Sequence, residues 1–254
     1  MRRLLLPLLP VLLAACVTET GGGANVANLD LLKDAEREFI LEQYLKSASD
    51  YEAFLGFNHD YPRRAQVRLM AGRAYLGAGR VDQAITTFDR ALTDTPSPVD
   101  RWDIVFHRAV AYRMKGEISR ALDGFRSMAT APATDRSSAV TSDELHYEFA
   151  IALFRDGDWR GGHGELGLVV GPKGPFAAKA RVRQGLTAFT VQVGAYAEDA
   201  RARQEAENVK GMVRAVPENR PPFVVTWGSF ARHEDAQREA DRLRRQYSDA
   251  FVLP

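Results

Sequence analysis

Residues 72–96 read GRAYLGAGRVDQAITTFDRALTDTP. Gly72, Tyr75, Gly79, Ala84, Phe88, Ala91 and Pro96 fall at successive spacings of 3, 4, 5, 4, 3 and 5. The spacings of three and four keep each group on one face of a helix. Gly79 interrupts the run as a helix C-terminal glycine does, and Pro96 stops the second run. The stretch therefore predicts two antiparallel helices. Small residues at 72, 84 and 91 let them approach closely, and Tyr75 and Phe88 fill the space between them and the next pair.

The pattern recurs. Ala109, Tyr112, Gly116, Ala121 and Phe125 repeat it, with Met128 in the last place. A weaker copy holds Ala150, Leu153, Gly157, Gly162, Leu166 and Val169. A degenerate one precedes the strong block, with Phe54, Phe57 and Pro62 in register. A period near 34 of this kind resembles the tetratricopeptide repeat, at three and a half to four copies over 29–186 with a capping helix at the end. The resemblance implies an all-α solenoid that docks a protein partner on its concave face. Arg68, Arg73, Arg108 and Arg113 are candidates to line that face, which would favour an acidic partner segment. Residues 129–142 and 171–175 are too long or too rich in breakers for the usual turns and predict loops.

After residue 186 the periodicity changes from helical to alternating. Phe189–Tyr196 and Phe223–Phe230 read as strands, each followed by a helical run, with short strands at 212–216 and 250–253. The order is βαββαβ. The two halves match in sequence: VQVGAY at 191–196 lies 34 positions before VTWGSF at 225–230. That duplication resembles the SPOR (sporulation-related repeat) domain, over 189–254. The fold class is thus multidomain: an all-α solenoid, then a small α+β domain of ferredoxin-like topology. SPOR domains bind peptidoglycan glycan strands stripped of stem peptides, on the sheet face away from the helices. Alternation turns Val191 and Val193 toward the helices and Thr190 and Gln192 toward that open face. By the duplication Val224 and Thr226 share it. Gln192 matches the family's glycan-contacting glutamine, whose amide offers two donors and an acceptor. Ala195 stands where the family has serine, and Pro222 and Phe223 stand where some members carry a stacking tryptophan. The domain holds ten Lys/Arg and ten Asp/Glu, so no anionic ligand is favoured.

The N-terminus sets location. Arg2 and Arg3 precede a ten-residue apolar run, Leu4–Leu13, half the length of about 20 needed to span a bilayer as a helix. Its length fits a signal-peptide core. Leu13-Ala14-Ala15-Cys16 resembles the bacterial lipobox, which implies residues 1–15 as signal peptide and Cys16 as lipid anchor. Multiple acyl chains hold a protein to a membrane where one chain does not. Val17 in place of aspartate favours the periplasmic face of the outer membrane. Residues 16–28, with three consecutive glycines, read as a flexible tether of roughly 20 Å root-mean-square span.

The composition excludes other classes. One cysteine in 254 residues leaves no disulfide framework or cysteine-rich metal site. A formal net charge of +1 disfavours nucleic acid as a general partner. The five histidines form no metal-binding or hydrolase motif, and no cofactor or catalytic residue is expected. The expectation is a lipid-anchored envelope protein that binds denuded glycan and recruits a protein partner, in division or envelope remodelling. The rival is a repeat scaffold in outer-membrane assembly or transport, or a regulator of a cell-wall hydrolase or synthase, in which the SPOR-like domain is only structural.

Overall fold

The computed structural model describes residues 26–169, 174–217 and 219–254, and the chain divides into two compact units at 141/142. Cys16, the signal segment 1–15 and most of the tether 16–28 lie outside the described residues.

The first unit is built of three helical hairpins: α1 (Val26–Ile40) with α2 (Tyr44–Phe57), α3 (Arg64–Gly77) with α4 (Val81–Thr93), and α5 (Pro98–Lys115) with α6 (Ile118–Ala129). Each packs on the next through α2 against α3 and α4 against α5. The breakers act as the sequence predicts. Gly79 and Gly116 take left-handed φ of 72° and 92°, which favours glycine there. Ser97 caps α5 by accepting from the Asp100 amide at 3.1 Å, with Pro98 in the first turn. Phe54, Phe88, Phe106 and Phe125 are fully buried, one or two to each hairpin. Residues 130–141 form an irregular connector with one 3₁₀ turn, Ala133–Asp135.

The second unit begins with α7 (Ser142–Asp156), α8 (Trp159–Gly167) and α9 (Pro175–Arg183). Next come β1 (Phe189–Tyr196), α10 (Asp199–Val209), β2 (Met212–Ala215), β3 (Phe223–Phe230), α11 (His233–Leu243) and β4 (Phe251–Leu253). The four strands are antiparallel in the order β2-β3-β1-β4. Val191, Val193 and Val225 pack against Ala202 and Ala206 of α10 and Ala240 and Leu243 of α11.

Both halves of the duplication carry one local device. A Cβ on Gly194 would lie 2.9 Å from Cζ of Tyr196, and one on Gly228 would lie 2.6 Å from Cζ of Phe230. In each half the aromatic two residues on folds back over a glycine, and any side chain there would displace the ring.

The sequence places a domain boundary between 186 and 189, whereas the compact unit starts at Ser142. The reason is a shared core. Tyr147, Ile151 and Phe154 of α7, Leu166 of α8 and Phe176 and Ala180 of α9 pack with Phe189 of β1 and Ala236 of α11. Trp159 bridges them, its ring 5.0 Å from Phe154 and 5.1 Å from Phe189. No helix among the described residues is long and apolar enough to cross a membrane.

Candidate functional site

The sheet has two faces, and α10 and α11 take one. The other carries Thr190 and Gln192 of β1, Val224 and Thr226 of β3, Met212 and Arg214 of β2, and Phe251 and Leu253 of β4. The register confirms that sharing: Gln192 pairs with Thr226 on one side and Phe251 on the other, and Thr190 pairs with Leu253.

This second face is not open, contrary to the expectation from alternation alone. Val224 is 1% exposed and Leu253 is wholly buried, and both belong to an apolar cluster with Val182 of α9 and Val216. Leu186 and Phe251 pack at its margin. Polar contacts from three side chains fix the cover. The Arg214 guanidinium donates to the carbonyls of Val182, at 2.8 Å, and of Gln184. The Asn219 amide donates to the Ala178 carbonyl at 3.2 Å. A ring nitrogen of His163 meets the Leu186 carbonyl at 2.8 Å. Helix α9 and the segment after it therefore strap across the sheet.

The four sequence candidates fare differently. Thr190 is buried, and its hydroxyl donates to the Trp227 carbonyl at 3.0 Å, so it is spent inside the sheet. Thr226 is buried between its neighbours, and Val224 lies under Val182. These three are corrected from exposed to covered positions. Gln192 alone remains half-exposed. Alternation gives the face but not what lies on it, because the cover comes from a helix that precedes the domain. Phe251, half-exposed beside Gln192, was missed by sequence reasoning. A three-residue strand at a chain end carries too little periodicity to assign a face. Trp227, Tyr196 and Phe230 pack on the helix side, as expected of core anchors. Trp227 lies beneath the Arg242 guanidinium at 5.6 Å.

On the helical unit the expected basic lining is not a free positive surface. Arg68 pairs with Asp94, and Arg108 with Asp89 at 2.8 Å. Arg73 rests over the Phe39 ring at 5.6 Å, and Arg113 is half-buried on α5. A cavity of about 250 Å³ opens instead between α1, α2 and α3, walled by Leu32, Tyr61, Val67 and Met70. Tyr51 also lines it. Its buried hydroxyl finds no hydrogen-bond partner among the described residues, and burial pushes its pKa up. Such a hydroxyl can donate to a carbonyl brought in from outside.

Four of the five histidines, His107, His146, His163 and His233, have structural partners. His146 meets Glu165 at 2.8 Å, and His107 stacks on Phe88 with centroids 6.2 Å apart. No group of three or more metal-ligating side chains occurs among the described residues.

Comparison with known families agrees with these two layouts. The tetratricopeptide-repeat family matches residues 36–99 and 69–136, and the SPOR domain family matches 185–254. No curated protein matches the chain. The chain therefore carries tetratricopeptide repeats followed by a C-terminal SPOR domain.

Proposed function

We propose that this protein is a lipid-anchored envelope scaffold, held by Cys16 at the periplasmic face of the outer membrane. Its SPOR domain docks on denuded peptidoglycan glycan, and its repeats recruit a protein partner during division or envelope remodelling. SPOR domains bind peptidoglycan and tetratricopeptide repeats bind proteins, and this domain content supports a binding role. The observation that carries the glycan part is Gln192, the family's contact residue, half-exposed on the sheet face opposite the helices. The Tyr51 cavity supports the partner part: largely apolar walls, with Lys33, Glu36, Arg63 and Gln66 also lining it and the Tyr51 hydroxyl unused, suit an inserted peptide side chain and its carbonyl.

A second reading is favoured by the strap. Three of four face residues are covered, which suits an SPOR domain that only packs, as in a repeat scaffold for outer-membrane assembly or transport. Co-sedimentation of the purified chain with sacculi, before and after amidase digestion, separates the two. The glycan reading expects enhanced binding after digestion and its loss in Gln192→Ala. Equal binding in all four conditions supports the structural reading. For the anchor, Cys16→Ser is expected to move the protein from the membrane to the soluble periplasmic fraction.

A further inference from the structure

We propose that the strap is an autoinhibitory cover: the last turn of α9 and residues 184–188 occupy the sheet face that glycan takes, and glycan binds only when they lift. This rests on the reading that the SPOR domain binds glycan.

The strand register shows where the strap runs. Val224 pairs with Ala195 of β1, and Leu253 pairs with Thr190. They therefore stand on opposite sides of the cross-strand row Thr226–Gln192–Phe251. Val182 of α9 is buried in one cluster with both. A segment that reaches both sides crosses the row between them. In that row Thr226 is buried and Gln192 is half-exposed. A glycan strand is a chain of rings, several of which lie along a sheet that binds it, and one half-covered amide serves only one of them. The face is filled by the chain's own residues.

The cover can come away without unfolding the sheet. The sheet keeps a core of its own on the other face, where Val191, Val193 and Val225 pack against α10 and α11. Residues 184–188 pair with no strand. Side chains hold the strap's carbonyls: Arg214 those of Val182 and Gln184, and His163 that of Leu186. Water takes over each such bond when the strap lifts, so the polar cost of opening is small. Both ends stay fixed. Upstream, Phe176 and Ala180 of α9 belong to the core that holds Phe154, and downstream Phe189 packs on Trp159. Lifting is thereby confined to the stretch between Ala180 and Phe189. Its main cost is the exposure of Val182, Val224 and Leu253. A ligand that binds only the open state loses affinity in proportion to the fraction that is closed.

The test uses the full chain and amidase-digested sacculi, with thermal melting as a fold control. Val182→Asp places a charge in the apolar cluster and so favours the lifted strap. It is expected to bind about tenfold more tightly than wild type. Arg214→Ala, which frees the Val182 and Gln184 carbonyls, is expected to gain about threefold. Adding Gln192→Ala to Val182→Asp is expected to remove the gain, which places the new binding on this face. Soluble denuded glycan added to wild type is expected to speed amide exchange at 183–188, because a ligand that needs the strap open holds it open. Should Val182→Asp fail to melt cooperatively, Arg214→Ala and the exchange measurement decide alone. Binding by the folded variants within about twofold of a wild type that itself binds overturns the cover and leaves the glycan reading standing. Slower exchange at 183–188 with glycan bound also overturns it, since the strap is then part of the site. So does a gain that survives Gln192→Ala, which belongs to newly exposed apolar surface. Absence of binding by wild type and by both variants overturns the glycan reading itself.

Discussion

A methyl group added to Gly72 would fall inside the ring of Phe88, 2.7 Å from its Cδ1. The two residues sit on α3 and α4, and Phe88 is fully buried. Their contact is why a glycine occupies a helix interior, where it ordinarily costs about 1 kcal/mol relative to alanine. Gly72→Ala gains that propensity and loses more. Overpacking against a buried ring costs about 1–3 kcal/mol, and this ring has no room to retreat. The expected net loss is up to roughly 2 kcal/mol, read as a lower denaturation midpoint by circular dichroism. Phe88→Leu in the same chain should make Gly72→Ala nearly neutral. Simple additivity of the two changes would refute the account.

Asp103 is a buried carboxyl of the first unit. Burial pushes its pKa up to about 6, against a hydrogen bond from the Ser137 hydroxyl at 2.8 Å and the Arg73 charge, which pull it down. In the unfolded chain the group titrates near 3.8. Between those values the folded state holds more protons than the unfolded state, so stability falls as pH rises from about 4 to 6. The gap of about two pH units corresponds to at most roughly 3 kcal/mol. Asp103→Asn cannot ionise. Its stability relative to wild type should improve between pH 4.5 and pH 7.5. A pH-independent difference in urea titrations would show that Asp103 is not the group responsible.

Arg214 ties the strap to the sheet through two carbonyls of a segment with no strand partner of its own. Arg214→Ala leaves both to water or unsatisfied, at about 1–3 kcal/mol. Hydrogen exchange should accelerate at amides 183–188 while those of β1 and β3 stay protected. Uniform acceleration across the sheet would mean that Arg214 supports the whole unit.

Both repeat classes were legible because each writes its packing into fixed spacings. Gly72, Phe88, Gly116 and Phe125 announce hairpins, and the glycine–aromatic pairs at 194/196 and 228/230 announce the duplicated strand. The strands β1 and β3 fall on the residues expected from alternation. What was not legible is contact across the boundary between patterns. Val182 reads as one apolar residue in a short terminal helix, and nothing in its spacing says that it covers Val224. Likewise Arg68 and Arg108 look free on a helical wheel, and only the neighbouring helix supplies Asp94 and Asp89.

That boundary also sets how short a stable SPOR fragment can be. The SPOR match begins at residue 185, yet Phe189 packs on Trp159 of α8 and Val224 lies under Val182 of α9. A fragment starting at 187 would expose Phe189, Val224 and Leu253, each worth about 1.5–3 kcal/mol when fully buried. Those losses together rival the whole stability of a domain of this size. A fragment starting at Ser142 keeps every one of those contacts. The longer fragment should therefore melt cooperatively, and the shorter one should melt at least 15 °C lower or not fold, since about 1 kcal/mol shifts the midpoint of so small a domain by roughly 4–8 °C. Equal melting points would mean that α7–α9 add nothing to the sheet, and that the covered face is a passive contact of an already stable domain.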